Sequence, residues 1–443
     1  MLPIRVKLLL LCLAAGLVSA CSTPCDTPGK LCAPVTSITS PMPQPAQAAS
    51  AAPRPTPQRP PEPQSQVETF AVATPGIQAE SPELPQAGEQ AGAQAGAAPA
   101  AGAAAGSYRI GLMLPLRSEP LRVAAESVRD GFMAAWERER DGIAVTVIET
   151  GDAAQDVLAA YAGALEQQDM IVGPLSRSAV TAVAASPLVQ KPTIALNHPE
   201  GRGGIVLPPQ LLVIGLSIED EARQAADWAA REHPDAIAYI LSNPAQYQRR
   251  SAAAFAAQWQ RLGRSAKTAE MNVLNGYLSD PELVQLRARL QGEPSSLVYA
   301  ALDPDQTRQL RVALQAPPLG EIPVYGISSL NPGKARQLPG PELDGVRLLD
   351  LPWQIQRDHP AVMVYPQPVG KDADMERLYA LGIDAFRIAH EIARKAQRKQ
   401  SADFKLDGVT GQLKVQFGNG PAVFERRALP AIYKNGVPLP VQQ

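Results

Sequence analysis

The residue of this chain whose type and position point most directly to chemistry is a cysteine near the amino terminus. A positively charged start, an apolar run at residues 8–18 and two small residues lead up to Cys21. The run has the length of the apolar part of a secretory signal peptide and is too short to cross a membrane as a helix. We therefore predict a cleaved leader at residues 1–20, with Cys21 as the first residue of the exported chain.

The residues around the expected cleavage point support a lipid anchor. The string Val-Ser-Ala-Cys at residues 18–21 resembles the lipobox of bacterial lipoproteins. That resemblance implies a diacylglyceryl thioether on the thiol of Cys21. In many Gram-negative bacteria an Asp after the cysteine favours the inner membrane, so Ser22 favours the periplasmic face of the outer membrane. The alternative is an ordinary secreted protein whose signal peptide happens to hold a cysteine.

Two further cysteines, Cys25 and Cys32, follow the expected anchor, and none lies beyond them. In an oxidising compartment this pair could close a small disulfide loop. The alternative is two free thiols. Two cysteines without a neighbouring histidine fall short of a closed zinc site, so we predict neither a metal site nor a cofactor.

Catalytic patterns are missing from the sequence. The four histidines form neither an HExxH nor a His-x-His pattern, and Ser328 and Ser329 follow a predicted strand without the GxSxG elbow of hydrolases. The glycine-rich strings at residues 201–204 and 418–420 match no phosphate-binding fingerprint. The net charge of −2 and the lack of a basic stripe exclude a nucleic-acid-binding protein. We predict that the chain is not an enzyme.

Residues 33–106 consist mainly of Pro, Ala, Gln, Ser, Gly and Glu. Such a composition cannot bury enough apolar surface to offset the entropy of ordering, so we predict that residues 21–107 are a lipid-anchored, disordered tether. Its reach is about 50 Å as a coil and on the order of 200 Å when extended. The alternative, a helix in the Ala-rich part, is disfavoured by its glycines.

From residue 108 to residue 443, strand patterns alternate with amphipathic helix patterns. Repeated strand–helix–strand units predict an α/β fold with mostly parallel sheets flanked by helices. Two successive series predict two lobes, one at about residues 108–217 with parts of 340–443 and the other at about 218–339. A long helix at 375–399 and two or three antiparallel strands are expected to complete the domain.

The turns that follow the predicted strands carry polar side chains. Because ligands of such folds bind at the carboxyl ends of the strands, these side chains are candidates for lining a cleft between the lobes. The candidates are Arg117, Ser118, Ser176, Arg177, Asn197, His198, Ser328 and Ser329. The alternative is that they are ordinary loop residues that cap helices, as Ser176 is expected to do.

Several blocks of sequence are similar to known proteins. RIGLMLPL (109–116), VRDGFMAAW (128–136), IVGPL (171–175) and PTIALN (192–197) resemble the start of the type 1 periplasmic-binding-protein fold. The blocks LDGVRLLDLPW (343–353), RLYALGIDAFRIA (377–389) and GVTGQLKVQFGNG (408–420) resemble the carboxyl-terminal domain of the LppC family.

The LppC resemblance implies an outer-membrane lipoprotein that reaches through the peptidoglycan and stimulates a class A penicillin-binding protein. Longer members of that family carry a helical, TPR-like domain where this chain has its Pro/Ala-rich segment. The same fold also serves solute-binding lipoproteins of ABC-type uptake systems, which is the alternative function. Both functions allow a small-molecule ligand in the cleft. A third possible function is that of a general envelope scaffold.

Overall fold

A computed structural model describes residues 107–139, 141–201, 206–293, 295–333 and 341–441. The predicted leader, the anchor residue Cys21, the pair Cys25 and Cys32, and all but the last residue of the predicted tether lie outside the described residues. Among the described helices, none is long and apolar enough to cross a membrane.

Lobe 1 is built on a sheet of five parallel strands, in the spatial order β2-β1-β3-β4-β5. Helices cover both faces, which is why β1 is almost entirely apolar and buried rather than alternating. The strands are β1 (Tyr108–Leu114), β2 (Ile143–Glu149), β3 (Met170–Val172), β4 (Thr193–Ala195) and β5 (Leu211–Val213). The helices between them are α1 (Arg122–Glu139), α2 (Ala154–Gln167) and α3 (Arg177–Ala185).

Lobe 2 contains a seven-stranded sheet with the order β17-β16-β12-β11-β10-β6-β7. Its parallel strands are β6 (Ile237–Ser242), β7 (Ala266–Glu270), β10 (Ser296–Ala301), β11 (Val324–Gly326) and β12 (Arg347–Asp350). Antiparallel strands β16 (Leu429–Lys434) and β17 (Val437–Pro440) extend it at one edge. The hairpin β8 (Val273–Leu274) and β9 (Tyr277–Leu278) stands apart from the sheet. The helices are α4 (Ile218–Glu232), α5 (Gln246–Arg261), α6 (Asp280–Gln291) and α7 (Pro304–Gln315).

The carboxyl-terminal part differs from the sequence prediction. It contains the short helices α8 (Pro352–Ile355) and α9 (Pro360–Met363), the long helix α10 (Ala373–Gln397), and an antiparallel sheet of β13 (Ala402–Gly408), β14 (Gly411–Phe417) and β15 (Val423–Arg427). Together with β16 and β17, five antiparallel strands follow α10 where two or three were predicted. Lobe 2 also extends past residue 339, because β12, β16 and β17 pair in its sheet.

Helix α10 returns to lobe 1 and packs directly on α1. Two glycines make this possible: a Cβ on Gly131 would lie 1.9 Å from the carbonyl oxygen of Tyr379, and one on Gly382 would lie 2.1 Å from that of Val128. Beside them, Phe132 and Phe386 meet edge to face with ring centroids 5.3 Å apart. The close helix crossing therefore depends on the absence of side chains at both positions.

The chain passes between the lobes three times, after β5, after β12 and after β15. Arg426, in β15, donates to the carbonyl oxygens of Ile214 (2.7 Å) and Gly215 (3.0 Å) in the first crossover. Gln224, in α4, exchanges hydrogen bonds with the backbone of Arg426 (3.0 Å) and Ala428 (3.1 Å). These bonds tie the first and third crossovers to each other.

Candidate functional site at the interlobe cleft

A cleft of about 780 Å³ lies between the two lobes at the carboxyl ends of their parallel strands. Lobe 1 contributes the turns after β3 and β4 and the start of α10. Lobe 2 contributes the starts of α4, α5 and α7 together with the turn after β11. The lining residues that matter below are Arg177, Asn197, Glu219, Tyr247, Arg250, Asp303, Asp305, Arg308, Ser328, Ser329, Asn331, Asp372, Asp374 and Arg377.

Half of the predicted cleft residues line this cavity: Arg177, Asn197, Ser328 and Ser329. The other four lie outside its lining. Arg117 forms an ion pair with Asp156 (2.8 Å), and Ser118 contacts Asp152 (3.2 Å). Ser176 caps α3 by accepting from the backbone N–H of Ala179 (3.2 Å), and His198 lies 3.9 Å from Asp220. For these four residues the structure shows partners inside lobe 1 or at the start of α4.

Sequence reasoning missed the helix-borne residues of the cleft. Asp303 and Asp372 are N-caps: Asp303 forms a capping box with Gln306, and Asp372 accepts from the N–H of Met375 (2.9 Å). An acid one residue before a helix pattern is a signal that could have placed both. Their capping bonds also explain why acids occur here without a ligand.

The charged side chains of the cleft are largely paired within the chain. Arg250 lies 3.2 Å from Glu219, and Arg308 lies 2.7 Å from Asp305. The hydroxyl of Tyr247 donates to Asp303 (2.9 Å). Burial raises the pKa of Tyr247, and its hydrogen bond to Asp303 raises it further. A cleft whose charges already have partners does not require a charged ligand for its stability.

One arginine joins the lobes at the floor of the cleft. Arg377 of α10 donates to both carboxylate oxygens of Asp350 (3.1 and 2.9 Å) and to the carbonyl oxygens of Ser328 and Asn331 (2.9 Å each). Asp350 is fully buried. Burial alone would lower the pKa of Arg377, but the charge and hydrogen bonds of Asp350 raise it above its usual value. We call these four residues the interlobe latch.

A second buried carboxylate of α10 holds the antiparallel sheet. Asp384 accepts from the backbone N–H groups of Val409 (3.1 Å) and Thr410 (2.8 Å) and from the hydroxyl of Thr410 (2.6 Å). The side chain of Arg426 in turn donates to that hydroxyl (3.0 Å). Asp384 therefore fixes the turn between β13 and β14 against the long helix.

The blocks that resemble known proteins meet each other through these contacts. Arg377, Gly382 and Asp384 all lie in RLYALGIDAF, Asp350 lies in LDGVRLLDLPW, and Gly131 lies in VRDGFMAAW. Their contacts join helices, sheets and lobes, and no reacting group is among them. Across the described ranges, no cluster of three or more His, Cys, Asp or Glu side chains is placed to hold a metal ion. The contacts of these residues fix the arrangement of helices and sheets in the described part of the chain.

Comparison with known protein families identifies a match over most of the described residues. The family described as "LppC putative lipoprotein" matches residues 104–435. A penicillin-binding protein activator LpoA from Haemophilus ducreyi is 26% identical over 307 residues, which are 69% of this chain and 50% of that protein. The LpoA of Yersinia pseudotuberculosis is 25% identical over 75% of this chain and 61% of its own length. The chain thus spans about half to three fifths of these curated relatives.

Solved structures show the same fold. Full-length LpoA from Haemophilus influenzae matches with a TM-score of 0.61 and 25% identity, covering 76% of this chain and 59% of that one. A Chromobacterium violaceum structure described as a "putative branched-chain amino acid ABC transporter" matches with a TM-score of 0.59 and 33% identity, covering 74% of this chain and 100% of that one. The mixed α/β architecture is that of the LpoA carboxyl-terminal domain and of periplasmic-binding-protein-like proteins. With a family match over three quarters of its length, the chain belongs to the LppC family.

Proposed function

We propose that this chain is a non-enzymatic outer-membrane lipoprotein that binds a class A penicillin-binding protein and stimulates its synthesis of peptidoglycan. The observation that carries the proposal is the similarity of the two-lobed domain to proteins named penicillin-binding protein activator LpoA. The relatives' role is regulatory, which agrees with a fold whose shared blocks hold the lobes together.

The geometry supports a protein partner more than a chemical reaction. The cleft charges have partners within the chain, and the latch holds the two lobes through buried hydrogen bonds. A preformed surface binds a protein without a large ordering cost, and a few buried anchor residues then carry most of the binding energy. The domain is therefore suited to docking on a synthase.

The anchor and the tether belong to the same proposal. Cys21 would fix the chain to the outer membrane, and residues 33–106 would let the folded domain work on the order of 50 Å or more from it. Such a radius would let the domain meet a synthase that acts on the cell wall away from the membrane.

The direct test mixes the chain, from residue 21 onward and with Cys21→Ser, with a purified class A penicillin-binding protein and its lipid-linked substrate. We expect a severalfold rise in crosslinked glycan, measured by chromatography of the digested product, and co-purification of the two proteins. Unchanged synthase activity at saturating chain contradicts the proposal. In cells, the Cys21→Ser chain is expected to leave the outer-membrane fraction, whereas Ser22→Ala is expected to stay.

A solute-binding lipoprotein is the second candidate, and the whole-length match to the Chromobacterium violaceum structure favours it. On this reading the cleft takes a small polar solute. At a solute concentration 100 times its Kd, binding would stabilise the folded chain by about 2.7 kcal/mol. Thermal unfolding with leucine, glutamate or muropeptides at millimolar concentration measures this, and the lack of any stabilised sample removes the candidate.

A further inference from the structure

Next to the interlobe latch lies the buried carboxylate of Glu221, which has no role in the functions proposed above. Glu221 is in the first turn of α4, where the chain has just entered lobe 2, and only 8% of it is exposed. Its carboxylate accepts a hydrogen bond from the backbone N–H of Ser328 (3.1 Å). The carbonyl oxygen of the same Ser328 accepts from Arg377. The turn after β11, which contains Ser328, is thus bonded to Glu221 of lobe 2 and to Arg377 of lobe 1.

Charged and titratable groups face Glu221 from each element around it. They are Asp350 at the end of β12, Arg377 on α10, Arg426 on β15 and Tyr299 on β10. Helix α5 packs on α4, the helix that carries Glu221. It contributes Ser251, whose hydroxyl shares a hydrogen bond with that of Tyr299 (2.6 Å). The two cations act on Glu221 through space, and its direct hydrogen bonds come from the backbone N–H and the side chain of Ser328.

The two lobes contribute differently to these surroundings. Arg377 and Arg426 belong to elements outside the lobe 2 sheet. Asp350 and Tyr299 lie in that sheet, and Glu221 is on α4, which packs on it. Separation of the lobes would withdraw the latch arginine and admit water to the carboxyl group. The charge state of Glu221 and the closure of the lobes must therefore influence each other.

We propose that Glu221 is a proton-operated control on the interlobe latch: the protonated carboxyl group favours the closed arrangement, and its ionisation favours a more open one. The direction follows from the cost of an ion in this place. A buried carboxylate without a direct cationic partner is unfavourable, and water entering an open cleft removes that cost.

The acid–base behaviour of the buried group agrees with this direction. Burial raises the pKa of Glu221 to about 7; the hydrogen bond from Ser328 opposes the shift, and the charge of Asp350 adds to it. In an open form the pKa returns toward its ordinary value, so the closed form binds the proton more tightly. Between these two values each pH unit lowers the closed-to-open ratio about tenfold, and above about pH 7 the ratio levels off.

The experiment measures the distance between the lobes as a function of pH. The chain from residue 21 onward, with its native cysteines changed to serine, receives a fluorescent donor and acceptor at Val123→Cys and Val284→Cys. Both positions are exposed helix residues, in α1 and in α6. Energy transfer is recorded between pH 5 and pH 8.5, with circular dichroism at each pH to confirm that the chain is folded.

In the otherwise unchanged chain we expect the closed fraction to fall between pH 5 and 7 and then to stay constant. Glu221→Gln, which keeps an acceptor for Ser328 and cannot ionise, is expected to remain closed throughout. Glu219→Gln is the matched control on the same turn, because Glu219 pairs with Arg250 instead of the latch. The proposal is overturned if the unchanged chain shows no transition, if Glu221→Gln keeps it, or if both variants lose it.

Discussion

Replacing Arg377 with methionine is expected to lower the free energy of unfolding by about 3–5 kcal/mol, because Asp350 would remain fully buried without its cation. The carbonyl oxygens of Ser328 and Asn331 would lose their donor at the same time. Methionine keeps much of the length of the side chain, so the loss reports the charge and the hydrogen bonds more than a cavity. Urea denaturation followed by circular dichroism measures the change.

A double variant separates the ion pair from general damage. Arg377→Met combined with Asp350→Asn removes both charges of the buried ion pair, so we expect it to recover part of the lost free energy of unfolding and to show a coupling energy above about 1 kcal/mol. Arg394→Met is the matched control on the same helix, since the side chain of Arg394 is 40% exposed and pairs with Glu391 one turn away. If Arg377→Met lowers the free energy of unfolding no more than Arg394→Met does, the latch does not stabilise the fold.

Replacing Gly382 with valine is expected to separate α1 from α10 and to cost about 3 kcal/mol or more, at the upper end of overpacking effects. A Cβ at this position would lie 2.1 Å from the carbonyl oxygen of Val128 and 2.8 Å from the backbone nitrogen of Phe132. Both are main-chain atoms, which cannot swing aside as a flexible side chain would. Denaturation midpoints, with the emission of the partly buried Trp136 on α1, report the change.

Gly163→Ala provides the matched control for Gly382→Val. Gly163 lies in the interior of α2, and a Cβ there would meet no atom within 4 Å. Alanine at an exposed helix position should stabilise the chain by roughly 0.5–1 kcal/mol. The two glycines thus predict effects of opposite sign. A destabilisation of similar size at both would mean that the helix crossing does not require Gly382.

The parallel core of each lobe could be predicted from the sequence, because buried strands followed by amphipathic helices leave a clear pattern. Helix α10 begins and ends within two residues of its predicted bounds, 375–399. Strand β12 has only four residues, which is too short for its periodicity to show. The interior of β13 and all of β15 alternate half-buried with exposed positions and contain charged residues, so no apolar run marks either strand in the sequence.

The cleft was predictable where strands end and was not predictable where helices begin. Asn197, Ser328 and Ser329 lie in the turns that follow β4 and β11, Arg177 ends the turn after β3 as the first residue of α3, and all four line the cavity. Arg377 looked like an ordinary polar position on a long helix. Its partner Asp350 lies 27 residues away and becomes a partner only through packing of the two lobes. A buried ion pair of this kind has no local signature in a single sequence.

The crossing of α1 and α10 also bears on the order in which the molecule can assemble. About 250 residues separate Gly131 from Gly382, whereas β6, β7, β10 and β11 of lobe 2 follow each other closely. During vectorial emergence of the chain, the apolar face of α1 stays uncovered until the last fifth of the polypeptide arrives. The parallel strands of lobe 2 can thus pair before lobe 1 is complete, whereas β16 and β17 join that sheet only after α10. Nascent or truncated chains lacking α10 would depend on holding chaperones, since they expose a surface that promotes aggregation.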